Sequence, residues 1–118
     1  FTRIVKPLGY QVDQVRVSGC LHLKTGISAL NEETFIANPK WLDLSLFKGC
    51  NIVEVPEDES FGGNVLVVNG TVLMNAAYPR TIDLVASLGF KIQTVDISEF
   101  EKAEAGLTCM SLIFKKTP

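Results

Sequence analysis

The chain has 118 residues, enough for about one small domain with a modest core; 47% of them are hydrophobic and 20% are charged. A formal net charge of −2 gives no electrostatic reason to bind nucleic acid or an anionic membrane surface, and no apolar run approaches the roughly 20 residues that span a bilayer. The odd cysteine count (Cys20, Cys50, Cys109) leaves at least one thiol unpaired, which predicts a reducing, cytoplasmic setting rather than a disulfide framework.

The sequence opens at Phe1 in mid-pattern, so it reads as part of a longer polypeptide. Residues 1–20 predict the tail of a structural unit: a helix end, a turn at Gly9, then a strand from Tyr10 to Val17. Gly9, Gly49 and Gly89 recur with a period of 40, and Pro39 and Pro79 keep it, which is the mark of a repeated architecture. A first complete unit is predicted over 21–60. Its strand Gly26–Leu30 turns through Asn31-Glu32-Glu33 into a second strand, Thr34–Ala37. A helix should follow, capped by Asn38 and opened by Pro39, with Trp41, Leu42, Leu44 and Phe47 on its apolar face; Gly49 ends it and Ile52–Val55 forms the last strand.

The second unit, 61–106, repeats the plan. Asn64–Val68 and Thr71–Met74 flank Asn69-Gly70, the strongest short hairpin signal because both residues accept positive φ. Pro79 opens a helix whose buried stripe should be Ile82, Val85, Ala86 and Leu88; Gly89 closes it in the left-handed conformation, and Phe90–Val95 is the final strand. Residues 107–118 predict a closing strand that begins another copy. The fold class is therefore α/β, built from strand-strand-helix-strand units of about 40 residues arranged radially.

Radial packing has a chemical consequence. The opening strands of such units lie nearest the axis, so polar side chains on them converge on a central channel. His22 and Cys109 both fall at the start of a unit. Alternation would turn His22 and Lys24 to the polar face and Leu21 and Leu23 away from it. His22 is the single histidine, the one side chain that shuttles protons near neutral pH without a large shift, and a cysteine beside a base is a nucleophile. A lone strand cysteine is more commonly a small packing hydrophobe, and Lys24 a solvated charge. Asn64 is a weaker candidate for the same channel, with no chemistry assigned to it.

Cys20-Leu21-His22-Leu23-Lys24-Thr25 taken together with Glu101-Lys102-Ala103-Glu104-Ala105-Gly106-Leu107-Thr108-Cys109-Met110-Ser111 resembles the C-terminal half of the dimethylarginine dimethylaminohydrolases. These are guanidine-modifying enzymes of the pentein superfamily, whose fold is a five-bladed α/β-propeller. The likeness covers essentially the whole chain, including the Tyr78-Pro79 helix. Arginine deiminases share the Cys-Met-Ser ending, but usually carry an aspartate where Lys24 stands.

The resemblance implies a chemistry. Cys109 would attack the central guanidinium carbon and form a covalent thiouronium, while His22 would protonate the leaving amine and then activate water. Ala103 and Glu104 would contact the amino-acid end of the substrate, Glu104 standing where relatives often have aspartate. The products would be citrulline and an alkylamine, with no metal and no organic cofactor. The carboxylates that hold the guanidinium, and an arginine for the substrate carboxylate, come in the family from the half that precedes this sequence. Five units of about 40 residues need about 200. The chain is thus expected to be a partial propeller lacking its N-terminal half, probed by a small-molecule guanidine substrate, with that half as covalent or non-covalent partner or a homo-oligomer covering its edges. The alternatives are an arginine deiminase-like hydrolase of another guanidine, or an inactive half-propeller.

Overall fold

The structure, a computed structural model, describes residues 1–116. Two three-stranded sheets carry the repeat. In the first, β1 (Ile27–Ala29) pairs antiparallel with β2 (Thr34–Ala37), and β2 pairs parallel with β3 (Asn51–Glu54). In the second, β4 (Leu66–Val68), β5 (Thr71–Asn75) and β6 (Lys91–Val95) repeat that order and those directions. The antiparallel pairs are closed by short turns, and the parallel pairs need the longer crossover that each unit supplies. At the second hairpin Asn69 and Gly70 take φ 49° and 73°, the left-handed pair that an Asn-Gly turn of this hand requires.

Among the described residues four short α-helices accompany the sheets: α1 (Thr2–Val5), α2 (Leu23–Gly26), α3 (Pro79–Ser87) and α4 (Ser98–Glu101). α3 is the predicted second-unit helix, with proline at its start and Gly89 just beyond its end at φ 87°. It is rotated relative to expectation. Thr81 and Val85 are buried and Ile82 and Leu84 half-buried, whereas Ala86 and Leu88 face outward.

The first-unit helix expected over 39–47 does not form. Trp41 turns back instead, and its carbonyl accepts from the Ser18 N–H at 2.7 Å beside an antiparallel bridge between Val17 and Leu42. Only a 3-10 turn, Leu44–Phe47, remains, begun by the Asp43 carboxylate accepting from the Ser45 N–H at 3.0 Å. Asn38 caps no helix; its Oδ1 accepts from the Lys40 N–H at 3.0 Å in a local turn. The expected strand Tyr10–Val17 is reduced to that single bridge at Val17. Likewise, 107–110 is a turn and 111–116 is irregular, so no closing strand appears there among the described residues; the last two residues of the predicted 107–118 segment lie outside them. A strand needs a neighbour to close its ladder, and this segment has none among the described residues.

The larger core joins the two units: Ile36 of β2, Val72 and Met74 of β5 and Val85 of α3 meet there, each with at most 1% of its surface exposed. A smaller core lies in the first unit, where Ile27, Ala37 and Leu42 are covered by Trp41, Leu44, Phe47 and their neighbours. The predicted apolar set of the first-unit helix is therefore used in packing although the helix is absent. No helix among the described residues is long and apolar enough to cross a membrane.

Candidate active site

Between the two units a cavity of about 540 Å³ opens, lined on one side by Cys20–His22 and on the other by Ala103–Leu107 and Cys109. His22 and Cys109 also line an adjoining cavity of about 260 Å³, together with Lys24 and Thr108. The structure thus brings the predicted nucleophile and the predicted acid–base group to common cavities. It does so without the opening strands expected for them. His22 is the extended residue that leads into α2, and Cys109 sits in the 107–110 turn. With 21–24 in a bend and helix, strand alternation does not hold, and Leu21, His22, Leu23 and Lys24 are all exposed.

The two cysteines of the larger cavity differ. Cys20 is half-buried and its thiol donates to the His22 carbonyl at 3.4 Å; burial pushes this thiol up from its ordinary range, away from the reactive form. Cys109 is exposed, and the Gly106 N–H donates to its sulfur at 3.1 Å. The Cys109 thiol in turn donates to the Gly106 carbonyl at 3.2 Å, so the side chain and the main chain of Gly106 are tied in both directions. Cys50 lines neither cavity.

The approach to Cys109 is held by side chains from the second unit. At the end of β5, Asn75 is buried; its Nδ2 donates to Glu101 Oε1 at 2.8 Å, and the Tyr78 hydroxyl donates to the same oxygen at 2.6 Å. Burial first, then the Glu101 hydrogen bond and charge, pushes the Tyr78 phenol well above its ordinary value, so it remains a donor. Beyond α4 the chain passes through exposed Ala103 and Glu104, both on the cavity wall. Glu104 has φ 59°, a left-handed conformation that a glutamate adopts only under constraint. That conformation and the Asn64 contact described next fix the path of the loop.

Asn64, the weaker candidate, lines the larger cavity, and its Oδ1 accepts from the Thr108 N–H at 3.1 Å. The sequence reading assigned no role to Asn75, Tyr78 or Glu101. A signal for Asn75 existed: Asn38 and Asn75 follow the same register position of the two sheets, and each Oδ1 accepts from the N–H two residues on. Among the described residues no group of three or more histidine, cysteine or acidic side chains is placed to hold a metal ion.

No protein-family model matches the chain. Among curated proteins, it is 40% identical over 111 residues to an N(G),N(G)-dimethylarginine dimethylaminohydrolase of Pseudomonas aeruginosa, covering 94% of this chain and 44% of that protein. It is 41% identical over 109 residues to an enzyme of the same name from Streptomyces coelicolor, covering 91% of this chain and 41% of the other. The chain therefore spans under half the length of these relatives. Among solved structures, the Pseudomonas aeruginosa enzyme, as a cysteine-to-serine variant complexed with citrulline, superposes with a TM-score of 0.87 at 38% identity over 95% of this chain and 44% of that one. An amidinotransferase from Microseira wollei superposes with a TM-score of 0.80 over 92% of this chain and 35% of that one; at 18% identity it shows a shared fold.

Proposed function

We propose, from its similarity to the dimethylarginine dimethylaminohydrolases and to their pentein-type α/β architecture, that this chain carries the nucleophile and the acid–base group for hydrolysis of an Nω-methylated arginine. The observation that carries the proposal is that Cys109 and His22 line the same cavity from different units.

In this reading the Cys109 thiolate attacks the central carbon of the guanidinium, giving a tetrahedral adduct. The imidazolium of His22 gives its proton to the departing dimethylamine as the C–N bond breaks, leaving a thiouronium on sulfur. The neutral imidazole then takes a proton from water. The hydroxide adds to the same carbon, the C–S bond breaks, and citrulline leaves with the sulfur restored as thiolate. Splitting one hydrolysis into two substitutions is the benefit of a covalent route, and a placed acid–base group typically adds about 10²–10⁴ in rate. Ala103 and Glu104, on the same wall, are assigned to the amino-acid end of the substrate. Citrulline bound to a solved relative supports a small guanidine-derived ligand class.

The carboxylates that would hold a guanidinium are assigned to a complementing half outside these residues. Glu101, one of the two acids on the cavity wall, already accepts at Oε1 from Asn75 and Tyr78. Apolar side chains such as Phe1, Leu112 and Phe114 are 88%, 86% and 78% exposed, a surface that favours a covering partner. The test is citrulline release from dimethylarginine by the chain, by a complementing N-terminal half, and by their mixture. Turnover is expected from the mixture alone, and Cys109→Ser should abolish it. Turnover that persists in the Cys109→Ser mixture would overturn the assignment of the nucleophile.

A further inference from the structure

Cys109 and His22 belong to different units, so their separation depends on bonds that cross between units. One continuous path does so. His22 leads directly into α2, which runs into β1. On β1 the Ser28 hydroxyl donates to the Gly63 carbonyl at 2.7 Å and accepts from the Val65 N–H at 3.2 Å, gripping the chain on both sides of Asn64. The backbones also approach closely there, since a Cβ at Gly63 would stand 3.2 Å from the Gly26 carbonyl oxygen. Asn64 then reaches across to the nucleophile turn. Its Oδ1 accepts from the Thr108 N–H at 3.1 Å, and its amide lies so close to Gly106 that a Cβ there would collide with it. Gly106 is the residue whose N–H donates to the Cys109 sulfur.

We propose that Asn64 is a positioning residue: anchored to the His22-bearing segment through Ser28, it fixes the Gly106–Cys109 turn and so sets the sulfur beside the imidazole. This rests on the reading of Cys109 and His22 as the reactive pair. Asn64 acts through the main chain of the turn. Its loss therefore moves the sulfur while leaving the thiol exposed and able to react.

The test is a double-mutant cycle on the full chain, crossing His22→Gln with Asn64→Ala. The rate of Cys109 alkylation by iodoacetamide is read at neutral pH, together with hydrogen exchange at the Thr108 amide. Exchange at Thr108 should quicken about tenfold in Asn64→Ala, the protection lost with one hydrogen bond. His22→Gln should slow alkylation when Asn64 is present, and that effect should shrink by about threefold or more when it is absent. Unchanged exchange at Thr108 would mean no tether and would overturn the proposal. So would quickened exchange with a His22 effect equal in both backgrounds. If His22→Gln has no effect even with Asn64 intact, the reactive-pair reading itself fails and takes the proposal with it; normal quickening at Thr108 separates that result from a missing tether. Should Asn64→Ala not fold, Ser28→Ala cuts the same path one step earlier. It should quicken Thr108 exchange and weaken the His22 effect in the same directions, and no change in either would overturn the proposal.

Discussion

Replacing Glu59 should cost more stability than any change at an exposed acid of this chain. Its carboxylate, 7% exposed, sits at the N-terminus of α3. Oε1 accepts from the Arg80 N–H at 2.9 Å, and Oε2 accepts from the Thr81 N–H at 2.7 Å and from the Thr81 hydroxyl at 2.6 Å. A carboxylate there meets both the unpaired N–H groups and the positive end of the helix dipole. Thr81 has no exposed surface, and a Cβ at Gly62 would collide with its hydroxyl, so the hydroxyl is closely enclosed and Glu59 is its acceptor. Loss of a cap costs about 0.5–2 kcal/mol, and a buried hydroxyl without a partner about 1–3, so Glu59→Ala should destabilise by roughly 2–4 kcal/mol. Glu59→Gln keeps the shape but turns an NH₂ towards one of the donors, which should cost about 1–2 kcal/mol. Urea unfolding followed by circular dichroism measures both, and hydrogen exchange at the Arg80 and Thr81 amides localises the effect. A loss under about 0.5 kcal/mol for Glu59→Ala would refute the capping argument. Equal losses for alanine and glutamine would show that volume, and not the acceptor, is what matters.

Two further outcomes concern the segments that lead towards Cys109. The Tyr78 phenol ionises above its ordinary value of 10.0 because of burial and the Glu101 carboxylate, so the stability it contributes is whole below that pH and declines as pH rises towards the folded-state value. The stability gap between the protein and Tyr78→Phe should be flat from pH 7 to about 9.5 and narrow above about 10, and a gap that widens there would contradict the assignment. Glu104 pays a left-handed penalty that asparagine bears more easily, so Glu104→Asn should raise unfolding stability by about 0.5–1 kcal/mol, and a loss would show that the glutamate makes contacts outweighing the strain.

What the sequence disclosed and what it hid divide along the range of the interactions. Hairpin turns and helix stops are local, and they are readable: Asn69-Gly70 takes the positive φ its hairpin requires, and Gly89 the positive φ that ends α3; Gly49 also has positive φ, but no α-helix precedes it. The 39–47 segment was misread because its apolar spacing suits a helix, yet the Trp41 carbonyl and Leu42 are claimed by Ser18 and Val17 from the preceding tail. Long-range pairing overrode a local preference that no packed helix face was there to reinforce. His22 and Cys109 were identified by residue type and by resemblance. Their setting, in a bend and a turn rather than on strands, was not legible, because it depends on contacts such as Asn64 with Thr108 that join residues 44 positions apart.

The repeat shows how the two units come to differ beside the cavity between them. Asn38 and Asn75 occupy matching positions, both are buried, and both close the same local turn with Oδ1. They differ only in what the other amide atom finds. Asn38 Nδ2 donates to the Ser60 carbonyl at 3.1 Å, a main-chain group at the end of the same unit. Asn75 Nδ2 finds the Glu101 side chain instead, and with Tyr78 it fixes a carboxylate on the wall of the cavity that Cys109 and His22 share. A duplicated scaffold thus supplies two equivalent anchoring points. The two links at the cavity differ likewise: Ser28 grips main-chain groups of Gly63 and Val65, whereas Asn64 beside them contacts the turn that carries Cys109. Under the proposed function, the reactive groups belong where the two copies diverge, on the sheet-and-turn frame where they agree.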